Sequence, residues 1–296
     1  MNHSLPSLAP APIPVAHLFA PLDAHLLRLL RTLRSDDWSK PTLAAKWTVK
    51  DVVAHLLDGN VRTLSMQRDG YFGISMPAIA QDSSSGLVDW LNSLNHEWVQ
   101  AAQRLSPDVL LLLLEATSNP TNAYYESVDL WSEAPFPVDW AGESHSYQWM
   151  HLAREYTEKW HHQQQIREAV GQTAELMTRE LFYPCIDTFM RGLPHTYRTV
   201  SAPVGTLVHV CVTGDAGGLW ILERTNDAWV LSPSATAQPT AILSLPPEVA
   251  WKVCTKGISL EKARKHAQIT GDTELGAHAL RMVSVMAQPR EFDLKN

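Results

Sequence analysis

The hydrophobic pattern of this chain of 296 residues changes its period partway along, and this change limits the fold more than any other feature. Up to about residue 192, apolar residues recur every three to four positions, as on the buried face of an α-helix. Beyond residue 193 they form short runs separated by the turn sequences DAGG and TND. We therefore expect two domains, a helical one over 15–192 and an α+β one over 193–296.

Four helices are predicted in the first part. The second of them begins with Thr48 and Asp51, whose spacing of three residues is that of a capping box. Four helices of this length indicate a four-helix bundle. The stretch 116–146 contains three prolines and shows no clear period, so we expect a long ordered excursion that covers a site. The predicted helices span residues 21–34, 47–60, 84–105 and 147–170.

The second part is predicted to contain four short strands followed by two helices. The strands are rich in β-branched and aromatic residues, and the helices begin near Pro247 and Asp272 and end with a glycine or a change of pattern. The predicted strands are 206–214, 218–224, 228–232 and 240–246, and the predicted helices are 247–257 and 271–286.

Composition and charge narrow the class of protein. A net charge of −7 with no cluster of lysine and arginine argues against a nucleic-acid partner. Residues 1–14 are rich in proline and lack the pattern of a signal peptide, so a disordered tail is expected there. The longest aliphatic run, 109–116, is too short to cross a membrane, and the three widely spaced cysteines indicate reduced thiols. We expect a cytoplasmic protein with no membrane contact.

Three side chains at the rims of two apolar helix faces form a candidate metal site. Glu158 and His162 lie four residues apart on the last predicted bundle helix, and His55 lies at the edge of the apolar stripe of the second. Two histidines and one carboxylate leave coordination positions open, as in a catalytic zinc site. From spacing alone, these residues could equally be a solvated pair and an ordinary core-edge histidine. His161, three residues after Glu158, is a competing ligand.

Two segments carry a resemblance to a known family. DDWSKPTLAAKWTVKDVVAHLLDGN (36–60) and HLAREYTEKWHHQQQIREAVG (151–171) resemble the mycothiol-dependent maleylpyruvate isomerase family of the DinB/YfiT-like superfamily. The resemblance implies that His55, Glu158 and His162 are the metal ligands, because the Gln165-Ile166 pair sets the register. Gln165 stands where many relatives have aspartate. Residues 266–286 are similar to the sterol-carrier-like α+β domain found in the same proteins.

The resemblance also implies an activity. It predicts a metal-dependent thiol transferase or isomerase that holds a divalent metal, zinc or alternatively nickel, and uses a low-molecular-weight thiol such as mycothiol or bacillithiol. The metal-bound thiolate would attack a small electrophile, and in the isomerase such attack permits rotation about a cis double bond. The alternatives are a metal-dependent hydrolase of the same fold and a non-enzymatic small-molecule-binding module with a structural metal. Related bundles pair, so a homodimer is a candidate assembly.

Two further groups of residues have open roles in the sequence. The aromatic residues of the 116–146 stretch either wall a pocket or pin the stretch to the bundle, since tryptophan and tyrosine do both. A carboxylate substrate would need an arginine, and the sequence does not place the arginines of the second part near the site. The residues concerned are Tyr124, Tyr125, Trp131 and Trp140 in the first group and Arg224, Arg264 and Arg281 in the second.

Overall fold

The computed structural model describes residues 11–44, 46–73 and 84–285. Within these ranges the first part of the chain is helical. A π-helical stretch, Thr63–Arg68, continues the second helix. The long helices are α1 (Phe19–Leu30), α2 (Val49–Arg62), α3 (Ser84–Ala102), α4 (Pro107–Ser127) and α5 (Gln148–Val170).

Helix α2 begins with the capping box that the sequence predicts. The backbone N–H of Thr48 donates to Asp51 Oδ2 at 2.9 Å, and the N–H of Asp51 donates back to Thr48 Oγ1 at 3.4 Å. The apolar stripe predicted for this helix is buried along its whole length, at Val49, Val52, Val53, Leu56 and Leu57. The helix is therefore fixed at its first turn and along one face, and His55 lies at the edge of that face.

Helix α4 corrects the prediction for residues 116–146. The helix continues to Ser127, although Pro120 lies inside it and removes one backbone donor. Burial of its inner face, which includes Leu110, Leu114 and Tyr125, accounts for the helix persisting through the proline. The irregular excursion is therefore limited to residues 128–147.

The packing of the helices also differs from the prediction. Helix α2 packs against α4 and α5, and α1 packs against the same two helices, whereas α3 packs chiefly on α2. Helix α4, which the prediction lacks, therefore packs against both α1 and α2. The contact between α2 and α5 is the one that matters for the candidate site.

The second part of the described chain is built on a mixed five-stranded sheet. Its strand order is β3-β2-β1-β4-β5, with β1 and β4 parallel and the other neighbours antiparallel. All four predicted strands are confirmed. The strands are β1 (Leu207–Val212), β2 (Gly218–Arg224), β3 (Trp229–Ser232), β4 (Ala241–Leu245) and β5 (Gln268–Gly271).

Short helices complete this part, and two of the predictions there need correction. Strand β5 is a four-residue edge strand without an apolar alternation, so no periodic signal predicted it. The last helix is capped by Asp272, as expected, but it ends at His278 and a 3₁₀ turn follows. The helices of the second part are α7 (Leu193–Tyr197), α8 (Pro247–Cys254), α9 (Leu260–His266) and α10 (Thr273–His278), and α6 (Arg179–Met190) ends the first part.

The two parts share one hydrophobic cluster. It runs from Phe19 and Trp160 through Phe182 to Trp251, and the rings of Trp160 and Trp251 lie 5.9 Å apart. Residues 1–10 of the predicted tail lie outside the described residues, but Ile13 is buried in this cluster, so residues 11–14 are not a free tail. No helix within the described ranges is both long and apolar enough to cross a bilayer.

Candidate metal centre

Helices α2 and α5 bring the three residues of the predicted site together. One potential ligand atom of each of His55, Glu158 and His162 lies within 4.8 Å of the others. His162 Nε2 is 3.5 Å from Glu158 Oε2, and the rings of the two histidines have centroids 4.6 Å apart. Ligand atoms about 2 Å from a tetrahedral zinc ion are about 3.3 Å from one another. The separations thus need only a small side-chain adjustment to match such a site.

Gln165 fixes the orientation of the His162 ring. His162 Nδ1 lies 2.9 Å from Gln165 Oε1, and because an amide oxygen only accepts, the ring nitrogen donates. The other ring nitrogen, Nε2, is the one that faces Glu158. This is the arrangement found around metal-bound histidines, whose second nitrogen usually donates to an oxygen. Gln165 thus supplies the acceptor at the position where the related pattern has aspartate.

His55 contributes an unsatisfied ring nitrogen. Its Nδ1 is buried and has no hydrogen-bond partner among the described residues. A buried polar atom without a partner carries a desolvation cost of about 1–3 kcal/mol. Together with Nε2 of His162 and the Glu158 carboxylate, this nitrogen makes a donor set that fits a divalent cation.

His161 is not part of this converging group. Its Nδ1 donates to the carbonyl oxygen of Thr157, one turn earlier on the same helix, at 2.7 Å. Its ring lies against that of His162, with centroids 4.0 Å apart, but no ligand atom of His161 belongs to the converging set. The geometry therefore distinguishes the two neighbouring histidines, which spacing alone could not do.

The environment sets the protonation states that a cation requires. Burial lowers the pKa of His55 well below its ordinary value, and the neighbouring His162 lowers it further. Burial, followed by His162, lowers the pKa of His161 to about 4. Burial would raise the pKa of Glu158, but His161 and His162 hold it well below its ordinary value. The site therefore offers a carboxylate and neutral imidazole at neutral pH, which are the ligand forms of these side chains.

Trp47 covers one side of the centre. Its ring lies 4.8 Å from that of His55 and 6.0 Å from that of His162. The carbonyl of Trp47 accepts from Thr42 Oγ1 at 2.8 Å, which holds the loop before α2 in place. In the sequence, Trp47 stands out only as part of the family-like segment 36–60. Its position directly before the cap of the helix that carries His55 was the signal for a role at the site.

The aromatic residues of 116–146 mostly pack. Tyr125 is buried against Phe19, with centroids 4.2 Å apart, and Trp140 is also buried. Trp131 is exposed and contacts Tyr147 instead. Of the two roles predicted for these residues, packing the segment onto the rest of the molecule is therefore the one that fits Tyr125 and Trp140.

The protein's own thiols and the arginines of its second part lie outside the three-residue cluster. Cys185 and Cys254 are buried, and burial raises the pKa of each thiol above its ordinary value. Arg264 and Arg281 line a separate cavity of about 540 Å³ together with His278. None of these four residues belongs to the converging set of His55, Glu158 and His162.

Comparisons with known proteins bear on this geometry. The family model described as the mycothiol maleylpyruvate isomerase N-terminal domain matches residues 19–167. Among solved structures, a histidine-to-alanine variant of the mycothiol-dependent maleylpyruvate isomerase is similar at 14% identity, with a TM-score of 0.51 over 86% of this chain and 91% of that one. This similarity shows a shared fold.

Two weaker structural similarities accompany it. Another structure of the mycothiol-dependent maleylpyruvate isomerase matches at 14% identity and a TM-score of 0.49, over 80% of this chain and 86% of that one. A ubiquinone synthesis protein, UbiJ-SCP2, matches at 13% identity and a TM-score of 0.26, over 36% of this chain and 99% of that one. No curated protein sequence matches the chain.

Proposed function

The chain belongs to the mycothiol maleylpyruvate isomerase N-terminal domain family, and we propose from this that it is a metal-dependent thiol transferase or isomerase. In this proposal the protein uses a low-molecular-weight thiol of the mycothiol or bacillithiol kind and acts on a small electrophilic substrate. The observation that carries it is the convergence of His55, Glu158 and His162. In addition, the buried Nδ1 of His55 has no hydrogen-bond partner in the described part of the chain.

In this proposal the three residues hold a divalent cation, zinc being the best match to two imidazoles and a carboxylate. When bound, such a cation supplies the Lewis acidity that deprotonates a thiol, whose sulfur can add to a conjugated double bond and later leave, isomerising the bond with no net change in composition. The chain's own residues provide the setting. Gln165 orients His162, and Trp47 shields the imidazoles on one side.

Several features support an external thiol over chemistry on the chain's own sulfur. Cys185 and Cys254 are buried with raised pKa values, so neither is a thiolate at neutral pH. The Glu158 side chain, in contrast, is about one-third exposed, at 34%, so the cluster is open to solvent on that side. A small molecule can reach it there.

The proposal extends to the architecture. We propose that residues 15–192 form a DinB-like four-helix bundle unit, made by α1, α2, α4 and α5. Residues 193–296 would form the sterol-carrier-like α+β domain. The mutual packing of these four helices and the mixed sheet that follows them support this division.

A spectroscopic titration tests the function. Cobalt is substituted into the purified protein, mycothiol is added, and the near-ultraviolet absorption is followed for the sulfur-to-cobalt band that a coordinated thiolate gives. We expect the band in the wild type and in His161→Ala but not in His162→Ala, and we expect maleylpyruvate to isomerise only when thiol is present. Hydrolysis of esters without thiol, and with no new band, would support the hydrolase instead.

A further inference from the structure

A cavity of about 540 Å³ lies in the second part of the chain. Its walls come from α9, from α10 with the 3₁₀ turn that follows it, and from residues 200–201 between α7 and β1. None of its lining residues belongs to the converging set of the candidate metal centre. Its volume is within the range of about 300–1,000 Å³ that small-molecule pockets usually have. The cavity is therefore large enough for a ligand of its own.

Hydrogen bonds hold the walls of this cavity in place. The hydroxyl of Tyr197 donates to the carbonyl of Leu275 at 2.7 Å, and Nε2 of His278 donates to the carbonyl of Thr196 at 3.1 Å. At the start of α10, Asp272 Oδ1 accepts from the backbone N–H of Leu275 at 3.0 Å. These bonds join α10 to α7 and to its own cap. A ligand would thus enter a preformed site and would not have to order its walls.

Apolar side chains form much of the lining. Leu280 and Ala277 are buried, whereas Leu260 is 39% exposed although it is a large aliphatic side chain. Covering such surface with an apolar group removes it from water, which is favourable in proportion to the area covered. The cavity therefore suits a ligand with an apolar body. The apolar lining residues are Val200, Leu260, Leu275, Ala277 and Leu280.

Two guanidinium groups also line the cavity. Arg281 is exposed, and its side chain has no hydrogen-bond or ion-pair partner among the described residues. Arg264 donates from Nη2 to Glu274 Oε1 at 3.2 Å, but these two side chains are 54% and 84% exposed. An ion pair that is so exposed contributes little and exchanges readily with solvent. Both arginines can therefore pair with an anion, to which a guanidinium donates two parallel hydrogen bonds.

The surroundings of the cavity are more basic than the chain as a whole. The chain has a net charge of −7, whereas residues 252–266 contain five lysine and arginine residues and one acidic residue. Three of these basic residues lie on α9, which forms one wall. The acidic lining residues already have partners, since Asp272 caps α10 and Glu274 pairs with Arg264. The local field thus favours an anion over a cation.

We propose that this cavity binds a small organic anion. The apolar body of the anion lies against the aliphatic lining, and its carboxylate or other anionic group pairs with Arg281 and Arg264. The body is a ring system or a short branched chain, because the apolar lining consists of only five side chains. This site needs neither the metal nor the thiol of the proposed function, so the two proposals stand or fall separately.

Calorimetric titration with three naphthalene derivatives tests the proposal. Naphthoate, naphthalenemethanol and naphthylmethylammonium share one ring system and are anionic, neutral and cationic at neutral pH. We expect the wild type to bind naphthoate about tenfold or more tightly than the neutral compound, because hydrogen bonds to a charged group contribute at least that much. The cationic compound should bind most weakly.

Variants of the charged lining residues test how the anion is recognised. Arg281→Met should weaken naphthoate binding about tenfold and leave the neutral compound unaffected. Glu274→Gln removes the partner of Arg264 and should strengthen naphthoate binding about two- to fivefold. Arg198→Met is the matched control, because Arg198 is exposed and lies close in sequence but does not line the cavity.

Two further variants test the location of the site. Ser201 is exposed and lines the cavity, so Ser201→Phe should fill it and abolish binding of both naphthoate and the neutral compound without disturbing the core. His162→Ala should bind naphthoate as tightly as the wild type, because His162 belongs to the candidate metal centre.

Several results would overturn the proposal. These are no binding of naphthoate by the wild type, equal affinity for all three compounds, wild-type affinity in Arg281→Met or Ser201→Phe, and a loss in His162→Ala as large as in Ser201→Phe. Palmitate binding more tightly than naphthoate would also overturn it, since the ligand would then be a long-chain lipid.

Discussion

At the scale of single residues, the hydrogen bonds that each histidine ring already makes decide which of its nitrogens can bind a metal. His161 and His162 are both buried and adjacent, and the sequence assigned the ligand to His162 only by resemblance. The structure adds a physical reason, because Nδ1 of His161 donates a hydrogen bond to the Thr157 carbonyl, whereas Nδ1 of His162 donates to Gln165 Oε1. These hydrogen bonds depend on the side-chain rotamers, and helical spacing alone does not determine the rotamers.

Gln165 gives the first prediction at this scale. Gln165→Leu removes the acceptor that orients His162, and we expect zinc affinity to fall about 10- to 100-fold, as for other outer partners of metal-bound histidines. Gln165→Asp should retain the affinity, because a carboxylate accepts the same hydrogen bond. The measurement is competition with a chromogenic chelator.

The neighbouring Gln164 provides the control for that experiment. It is equally buried, but its amide donates to the carbonyl of Thr173. Gln164→Leu should therefore cost stability without changing zinc affinity. If Gln165→Leu bound zinc as tightly as the wild type, the orienting role would be refuted.

At the scale of the elements, the start of α2 was predictable and the extent of α4 was not. The capping box of Thr48 and Asp51 is a local signal, and the helix follows it directly. Pro120 is a local signal against a helix, but burial of the inner face of α4 outweighs it. The prediction failed where tertiary packing opposes local preference, and packing of that kind is not readable from one segment.

The cap of α2 yields a prediction about the scaffold of the site. Thr48→Ala should lower the free energy of unfolding by about 1 kcal/mol, because the N–H of Asp51 loses its acceptor. His55 lies two turns into the helix, so zinc binding should persist. Urea denaturation monitored by circular dichroism measures the change.

A second threonine serves as its comparison. Thr32 Oγ1 donates to the carbonyl of Leu29 at the end of α1 and caps no helix start. Thr32→Ala should therefore cost less than Thr48→Ala. An equal loss in both variants, or loss of zinc from Thr48→Ala, would show that α2 is not held in the way described.

At the scale of the whole molecule, the two-part organisation followed from the change of hydrophobic period, but the pairing of α2 with α5 did not. The contact between Gln67 and His151 joins residues 84 positions apart, and the helical spacing within either segment does not predict it. The sequence drew attention to the arginines of the second part, and none of them belongs to the converging set of His55, Glu158 and His162.

The most direct test of the central claim is the zinc content per chain, measured by elemental analysis of the purified wild type and of three single variants. The account predicts about one zinc per chain in the wild type and in His161→Ala, and little or none in His55→Ala and His162→Ala, all with unchanged helical circular dichroism. Wild-type zinc content in His162→Ala, or a loss in His161→Ala as large as in His162→Ala, would contradict it.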